Sequence, residues 1–283
     1  MSIPGLILLT GQYGTSHEDV GNNLSNLANK KLKHLSRVQP ISKFYSIEKE
    51  LWDIGGSSEA FFEQLNDQDR DKIWLQAFLK IQRQIKQDNP LFPILSLHVV
   101  YLWKERFFSC VDWDILTTLQ PSVIVTIIDD IYDIKGRIET NQQSAVRMNE
   151  EDRSLFAILS WRLREIHTCN LIAKHLYVNP EHFPSIDNLL RKENISSSIN
   201  LNELEQVFGK PLPHYVISVK QSLDDFYRLL FERKTIRIYY SFPISEPRKQ
   251  NDEDYFKNLR NWRLQMHKAG RLGWFYQPNE LKE

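Results

Sequence analysis

Short unbroken apolar runs alternate along this chain with longer stretches of helical periodicity. The first run, Leu6-Ile7-Leu8-Leu9, closes on Thr10-Gly11-Gln12-Tyr13-Gly14. Four apolar residues ended by a glycine loop predict a strand buried on both faces, as in a parallel sheet. From about His17 to Leu35, Val20, Leu24, Leu27, Ala28 and Leu32 recur at helical spacing. Val38, Ile41 and Phe44 leave room for a short strand within residues 37–45, against which Pro40 argues. Ile73, Trp74, Ala77, Phe78, Ile81 and Ile85 predict a helix over 69–88, stopped by Asn89-Pro90. Ile94–Val100 reads as a second central strand. Val123–Ile128 reads as a third, β-branched almost throughout and closed by Asp129-Asp130. A long amphipathic helix over 155–176, a strand at Tyr215–Val219 and a helix over 223–231 complete the series. Strands separated by helices predict an α/β fold with a parallel sheet.

A further unit begins near Lys234. Ile236–Phe242 reads as a strand, Pro243–Pro247 as a turn, Asp254–Lys268 as a helix and Leu272–Tyr276 as strand-like. A βαβ piece of about 50 residues is near the lower limit for an independent domain. The expected division is 1–232 and 233–283, the second part being either a truncated domain or an extension of the main sheet. The polar stretch Asn194–Asn200 is the candidate linker or mobile loop.

Composition narrows the function classes. Lys+Arg and Asp+Glu both number 36, so the formal net charge is zero. That balance argues against a general nucleic-acid or membrane-surface binder, which needs basic excess. Cys110 and Cys169 are too few and too isolated for a disulfide framework or a Cys-rich metal site. The longest nearly apolar run, Leu91–Trp103, is shorter than the roughly 20 residues of a spanning helix. The N-terminus lacks the basic start and cleavage site of a signal peptide, so a cytoplasmic protein is expected.

The loop after the first strand invites comparison with G-x-x-x-x-G-K-[ST], whose backbone N–H groups wrap phosphates while Lys neutralises them and Ser/Thr binds Mg²⁺. Here Gly11 and Gly14 are present, with Thr15 between them and the helix. Ser16 stands at the second signature glycine, His17 at the lysine and Glu18 at the hydroxyl residue. A plain strand–turn–helix with Ser16 as helix cap is the alternative reading. The order of elements resembles the nucleoside-monophosphate kinase family of P-loop proteins, especially its adenylate-kinase-like branch. The stretch Gln120-Pro121-Ser122-Val123 to Ile128-Asp129-Asp130 followed by Arg137 matches that family's "P-x-hydrophobic run-acidic…R" pattern. The resemblance covers about residues 1–232. It implies a P-loop NTPase-like three-layer sandwich with an appended C-terminal βαβ unit, and ATP and Mg²⁺ as cofactors. It also implies that Arg137 lies near the nucleotide and that Arg162, on the helix with Trp161 and Glu165, reaches phosphates. Leu97-His98-Val99 looks like the strand end where some members carry Asp-Thr-His, without the acidic residue.

Phosphoryl transfer rests on positioning and charge stabilisation, so the missing lysine matters. His17 supplies at most partial charge near neutral pH. The expected nucleotide-binding set is therefore Gly11, Gly14, Thr15, Ser16, His17, Arg137 and Arg162, around a site weak or inactive in catalysis. No catalytic residue and no metal ligand is assigned. Ile238-Tyr239-Tyr240-Ser241-Phe242-Pro243-Ile244-Ser245 resembles the first strand and loop of nucleoside 2-deoxyribosyltransferase-like proteins. That family's glutamate nucleophile lies on a later helix absent from this chain, so the reaction is not expected of it alone.

Eight histidines show no metal-binding spacing, and Asp129-Asp130 reads as a polar strand end rather than an Mg²⁺ pair. The aromatic residues read as core and interface mass, since no basic stripe accompanies them. Two function classes remain: a nucleotide-binding kinase-like protein of nucleotide metabolism, and a non-catalytic scaffold that kept the fold. A nucleotide or small nucleoside is the expected ligand of the first, binding is left open for the second, and the C-terminal piece is where a protein partner or second copy would dock.

Overall fold

The computed structural model describes residues 3, 5–33, 40–57, 60–109, 112–140, 148–178 and 210–232, with isolated positions 254, 257, 258 and 261. The element order is β1 (Ile7–Gly11), α1 (His17–Lys31), β2 (Ser42–Ser46), α2 (Ile47–Gly55), a π-helical turn (Ala60–Gln64) and α3 (Asp67–Asp88). There follow β3 (Phe92–Ser96), β4 (Val100–Trp103), β5 (Arg106–Ser109), α4 (Trp113–Leu119), β6 (Val123–Ile128) and α5 (Ile131–Thr140). The series ends with α6 (Leu155–His175), β7 (Tyr177–Val178), β8 (Lys210–Pro211), β9 (His214–Ser218) and α7 (Leu223–Phe231). The chain divides into two units, Met1–Lys220 and Gln221–Glu283.

The first unit is an α/β fold on a five-stranded sheet of order β2-β3-β1-β6-β9, every neighbouring pair parallel. Leu8 pairs with Leu95 on one side and Ile124 on the other, which aligns one face across the three central strands. All five residues of β1 are buried, as a strand covered on both faces requires. The face of Leu9 and Phe44 receives α1, which approaches through Gly21. A Cβ there would lie 2.3 Å from the Phe44 ring and 2.9 Å from Leu9, so only glycine admits this contact. The opposite face, with Leu8 and Thr10, receives α6, whose Cys169 Sγ lies 3.3 Å from Thr10 Oγ1. Helices on both faces of a parallel sheet make three layers.

Side-chain caps fix the helix starts: Asn66 Oδ1 accepts from Asp69 N, Asp112 from Ile115 N and Ser154 Oγ from Ala157 N. In the second unit, Ser222 Oγ caps α7 through Asp225 N. The expected strands at Leu6–Leu9, Val123–Ile128 and Tyr215–Val219 are β1, β6 and β9, and the short strand allowed after Pro40 is β2. One expectation is corrected. Ile94–Val100 is not one strand: β3 ends at Ser96, and Val100 opens an antiparallel hairpin with β5. The break carries His98 out of the sheet, where its ring nitrogens find partners that a ladder position would not offer. The C-terminal βαβ unit, the Asn194–Asn200 linker and Cys110 lie outside the described residues, save for the four isolated positions.

Candidate functional site

Chain topology directs attention to one edge. After β1 the chain turns through α1 towards β2, whereas after β6 it turns towards β9 on the other side. Connections that diverge from adjacent parallel strands open a crevice at their C-terminal ends, the usual ligand position in such sheets. The glycine loop after β1, Glu48 after β2, His98 after β3 and Asp129 after β6 all belong to that edge.

The loop is compact. Thr15 N and Thr15 Oγ1 both donate to the Gln12 carbonyl, at 3.2 and 2.8 Å. Gly14 has φ +85°, a conformation L side chains rarely adopt, and its Cα faces Ile134 and Ile138 of α5. Ser16 is also left-handed, at φ 56°, and its side chain caps nothing. Ser16 is the N-cap residue of α1, as the alternative reading has it, with its carbonyl accepting from Val20 N at 3.2 Å, but it makes no side-chain cap bond. The conformation suits the glycine expected at this position. Glu18 does not project over the loop, because its carboxylate accepts a short hydrogen bond from Ser46 Oγ at the end of β2. Burial raises the Glu18 carboxyl above its ordinary range.

The two arginines converge on Asp129. Arg137 pairs with the Asp129 carboxylate and Arg162 donates to the Asp129 carbonyl, both at short range. Arg162 also reaches Gln12 Oε1 of the glycine loop at 3.4 Å. Lys220 lies 3.8 Å from Asp129 and 2.8 Å from Asp133. Asp130 turns the chain into α5, its Oδ1 accepting from Tyr132 N. Asp129-Asp130 is thus a polar strand end, tied to arginine and backbone.

His17, at the first position of α1, points inward rather than towards a phosphate position. Its ring lies 4.8 Å from that of His98 at 62°, and Nδ1 is 3.2 Å from Thr15 Oγ1. Its buried Nε2 has no hydrogen-bond partner. Burial, reinforced by the neighbouring His98 charge, lowers its pKa to about 3, so His17 is neutral throughout the ordinary range. The partial charge expected of His17 near pH 6.5 is corrected accordingly. His98 behaves oppositely. Burial alone would depress it, but the Glu48 carboxylate 2.8 Å from Nε2 raises its pKa to about 9. Its Nδ1–H donates to the Gly11 carbonyl, which links this ion pair to the glycine loop. Glu48 is pushed up by burial, yet the His98 charge holds it below the usual carboxylate range. On the far side Glu165 accepts from Val99 N and Val100 N at 3.2 and 3.0 Å. Burial raises Glu165 to about 7, moderated by His98 and those two amides.

Beside this relay lies a cleft of about 520 Å³, its open mouth included. It is lined by Tyr13, Trp52, Phe62, Tyr101, Trp103 and Trp161, with Glu48 and His98 among them. Sequence reasoning found neither Glu48 nor the aromatic wall. Glu48 lies on α2, where too few periodic positions announce a helix, and Tyr101 and Trp103 lie in the hairpin hidden within an apolar run. Among the described residues no group of His, Cys, Asp and Glu is disposed to hold a metal ion. No described helix is long and apolar enough to cross a membrane.

No protein-family model matches the chain. No curated protein matches it either. Among solved structures, an uncharacterized protein from Eubacterium ventriosum ATCC 27560 is 12% identical, with 81% of this chain and 96% of that one covered and a TM-score of 0.34. An unliganded sugar kinase from Janibacter sp. HTCC2649 is 11% identical, with 80% and 92% covered and a TM-score of 0.37. Likenesses this distant carry no argument about function.

Proposed function

We propose that the chain is a nucleotide-binding protein of the P-loop kinase-like kind, weak or inactive in phosphoryl transfer. One observation carries the reading. The loop after β1 keeps left-handed backbone at Gly14 and Ser16 at the start of a helix, but its would-be lysine is a buried, neutral His17. Backbone N–H groups at a helix N-terminus attract anions without help from side chains. A catalysing site needs more, because developing charge on a transferring phosphoryl group is met by Lys, Arg and Mg²⁺. The residues present do not fit that demand: Arg137 and Arg162 are both engaged at Asp129, and Glu18 is bonded to Ser46. ATP and Mg²⁺ are therefore expected as a loosely held pair, and no step is assigned to them.

A thermal-shift screen of nucleoside mono-, di- and triphosphates with and without Mg²⁺ tests the reading, since a ligand of the native state raises stability with occupancy. A small nucleotide-dependent rise without turnover is the expected result. Phosphotransfer at the rates of working kinases, roughly 1–100 per second, would overturn inactivity. Absence of any shift would favour the scaffold reading, whose support is the engagement of Glu18, Arg137 and Arg162 within the chain.

A further inference from the structure

We infer that the aromatic cleft beside the Glu48–His98 pair is a binding site for a small organic cation, an ammonium compound whose charged head sits within the ring of aromatic faces next to the Glu48 carboxylate. The inference does not rest on the nucleotide reading: the cleft shares Tyr13 with the glycine loop, but its charged group and its other aromatic walls come from α2, the π-helical turn, the β4–β5 hairpin and α6.

Shape comes first. Phe62 and Trp103 stack on each other at 25° and act as one wall, while the other walls meet at steep angles: Trp52 to Tyr101 at 71°, Trp52 to Phe62 at 65° and His98 to Tyr101 at 77°. Two parallel walls would make a slot for a flat ring, whereas walls set crosswise enclose a rounded head. Faces of Trp, Tyr and Phe carry the negative end of the ring quadrupole and attract a desolvated cation.

Charge points the same way. No Lys or Arg is among the described residues that line the cleft. Lys104, next along the chain from Trp103, is held by Glu63 at 2.7 Å. His98 is positive, but its Nε2 lies 2.8 Å from Glu48 and its Nδ1–H goes to the Gly11 carbonyl, and only 1% of its side chain is exposed. The Glu48 side chain keeps 16% exposure, so the ionic group that a ligand meets is the carboxylate. A phosphate or carboxylate entering here would face the Glu48 carboxylate with no Lys or Arg to offset it, and the donors on the walls are neutral hydroxyl and indole groups. A cation finds an opposite charge already fixed in place by His98, so little ordering remains to be paid for on binding.

The test uses the full chain, with intrinsic tryptophan fluorescence and isothermal titration. The probes are choline, benzyltrimethylammonium and 3,3-dimethyl-1-butanol, the last a neutral counterpart of choline in shape. The expected result is saturable binding of at least one cation, roughly tenfold or more tighter than the alcohol. Glu48→Gln should weaken the cation about tenfold and leave the alcohol unchanged. Because that variant leaves His98 without its partner, Trp52→Leu provides a second measure at a half-exposed wall position. It should weaken the cation with the circular dichroism spectrum unaltered. Saturable binding of neither cation, equal binding of choline and the alcohol, or indifference to Trp52→Leu would each overturn the assignment. So would displacement of the bound cation by adenosine monophosphate, which would give the cleft to the nucleotide. The nucleotide thermal-shift screen reads the loop, so its failure leaves this outcome untouched.

Discussion

Ser16 holds the glycine loop in a left-handed turn that a side chain resists by about 1–2 kcal/mol. Ser16→Gly relieves that cost but adds freedom to the unfolded chain, returning part of the gain. The net expectation is a stabilisation of about 0.5–1 kcal/mol, measured as a small rise in denaturation midpoint; a fall would mean that the hydroxyl holds the loop. His17 carries a second prediction. Its ring is neutral, buried and in contact with a protonated His98. His17→Lys thus places an unpaired cation beside another, at a cost on the order of 3–5 kcal/mol. Chemical denaturation should show that loss, with no gain in ATP affinity by titration. A variant as stable as the parent and binding ATP more tightly would refute the account of a loop closed to charge. None of this was legible in the sequence. The residue identities at 16 and 17 were plain there, but the direction of the imidazole depends on His98, 81 positions away.

The hairpin Val100–Ser109 turns on Lys104 and Glu105, with φ of 46° and 63°. Positive φ at both central residues belongs to the tight turn that normally asks for Asn-Gly. Replacing the pair by Asn-Gly removes two strained residues at the loss of one exposed ion pair, Lys104–Glu63, which contributes little. A gain of about 1 kcal/mol in unfolding free energy is expected from urea titration. No gain would show that Lys104 and Glu105 are not strained. The same turn explains why the element was hidden: Lys-Glu announces no hairpin, and the apolar run from β3 continues through Leu97 into Val100. By contrast α3, α6 and α7 were readable because each has a long or strongly one-sided apolar pattern behind a Ser or Asn cap. The nine-residue α2 offers only Ile47, Leu51, Trp52 and Ile54, and its polar Glu48 became visible only with the fold.

Across the whole molecule, the buried titratable groups give stability a shaped dependence on pH. His17 and His214 have pKa values lowered to about 3 and about 4, so the unfolded chain binds more protons up to pH 6.5 and stability rises with pH there. Glu165, raised to about 7, binds its proton more tightly when folded, which offsets that rise between about pH 4.5 and 7. His98, raised to about 9, contributes stability fully present below pH 6.5 and lost as pH climbs through 9. Melting temperature should therefore peak near pH 6 and decline towards pH 9. In Glu48→Gln the His98 part of that decline, between pH 7 and 9, should shrink, because His98 loses its nearest carboxylate while Glu165 remains. Persistence of the full decline in that variant would assign it to another group. The parallel architecture behind this cluster could be read from alternating patterns alone. The cluster could not, since it gathers Gly11, Glu48, His98 and Glu165 from four separated segments.

Cys169 makes the interface between α6 and the sheet accessible to time-resolved chemistry. The thiol is fully buried, bonded to Thr10 and pushed up to about 12 by burial. Alkylating reagents attack thiolates, so the native fold presents them with nothing to attack. In a Cys110→Ser background, each modification of Cys169 records a moment when α6 has lifted from the strands. Its rate at increasing reagent concentration would separate local excursions of that helix from complete unfolding, and so time the opening of the layer on which Glu165 and Trp161 are carried.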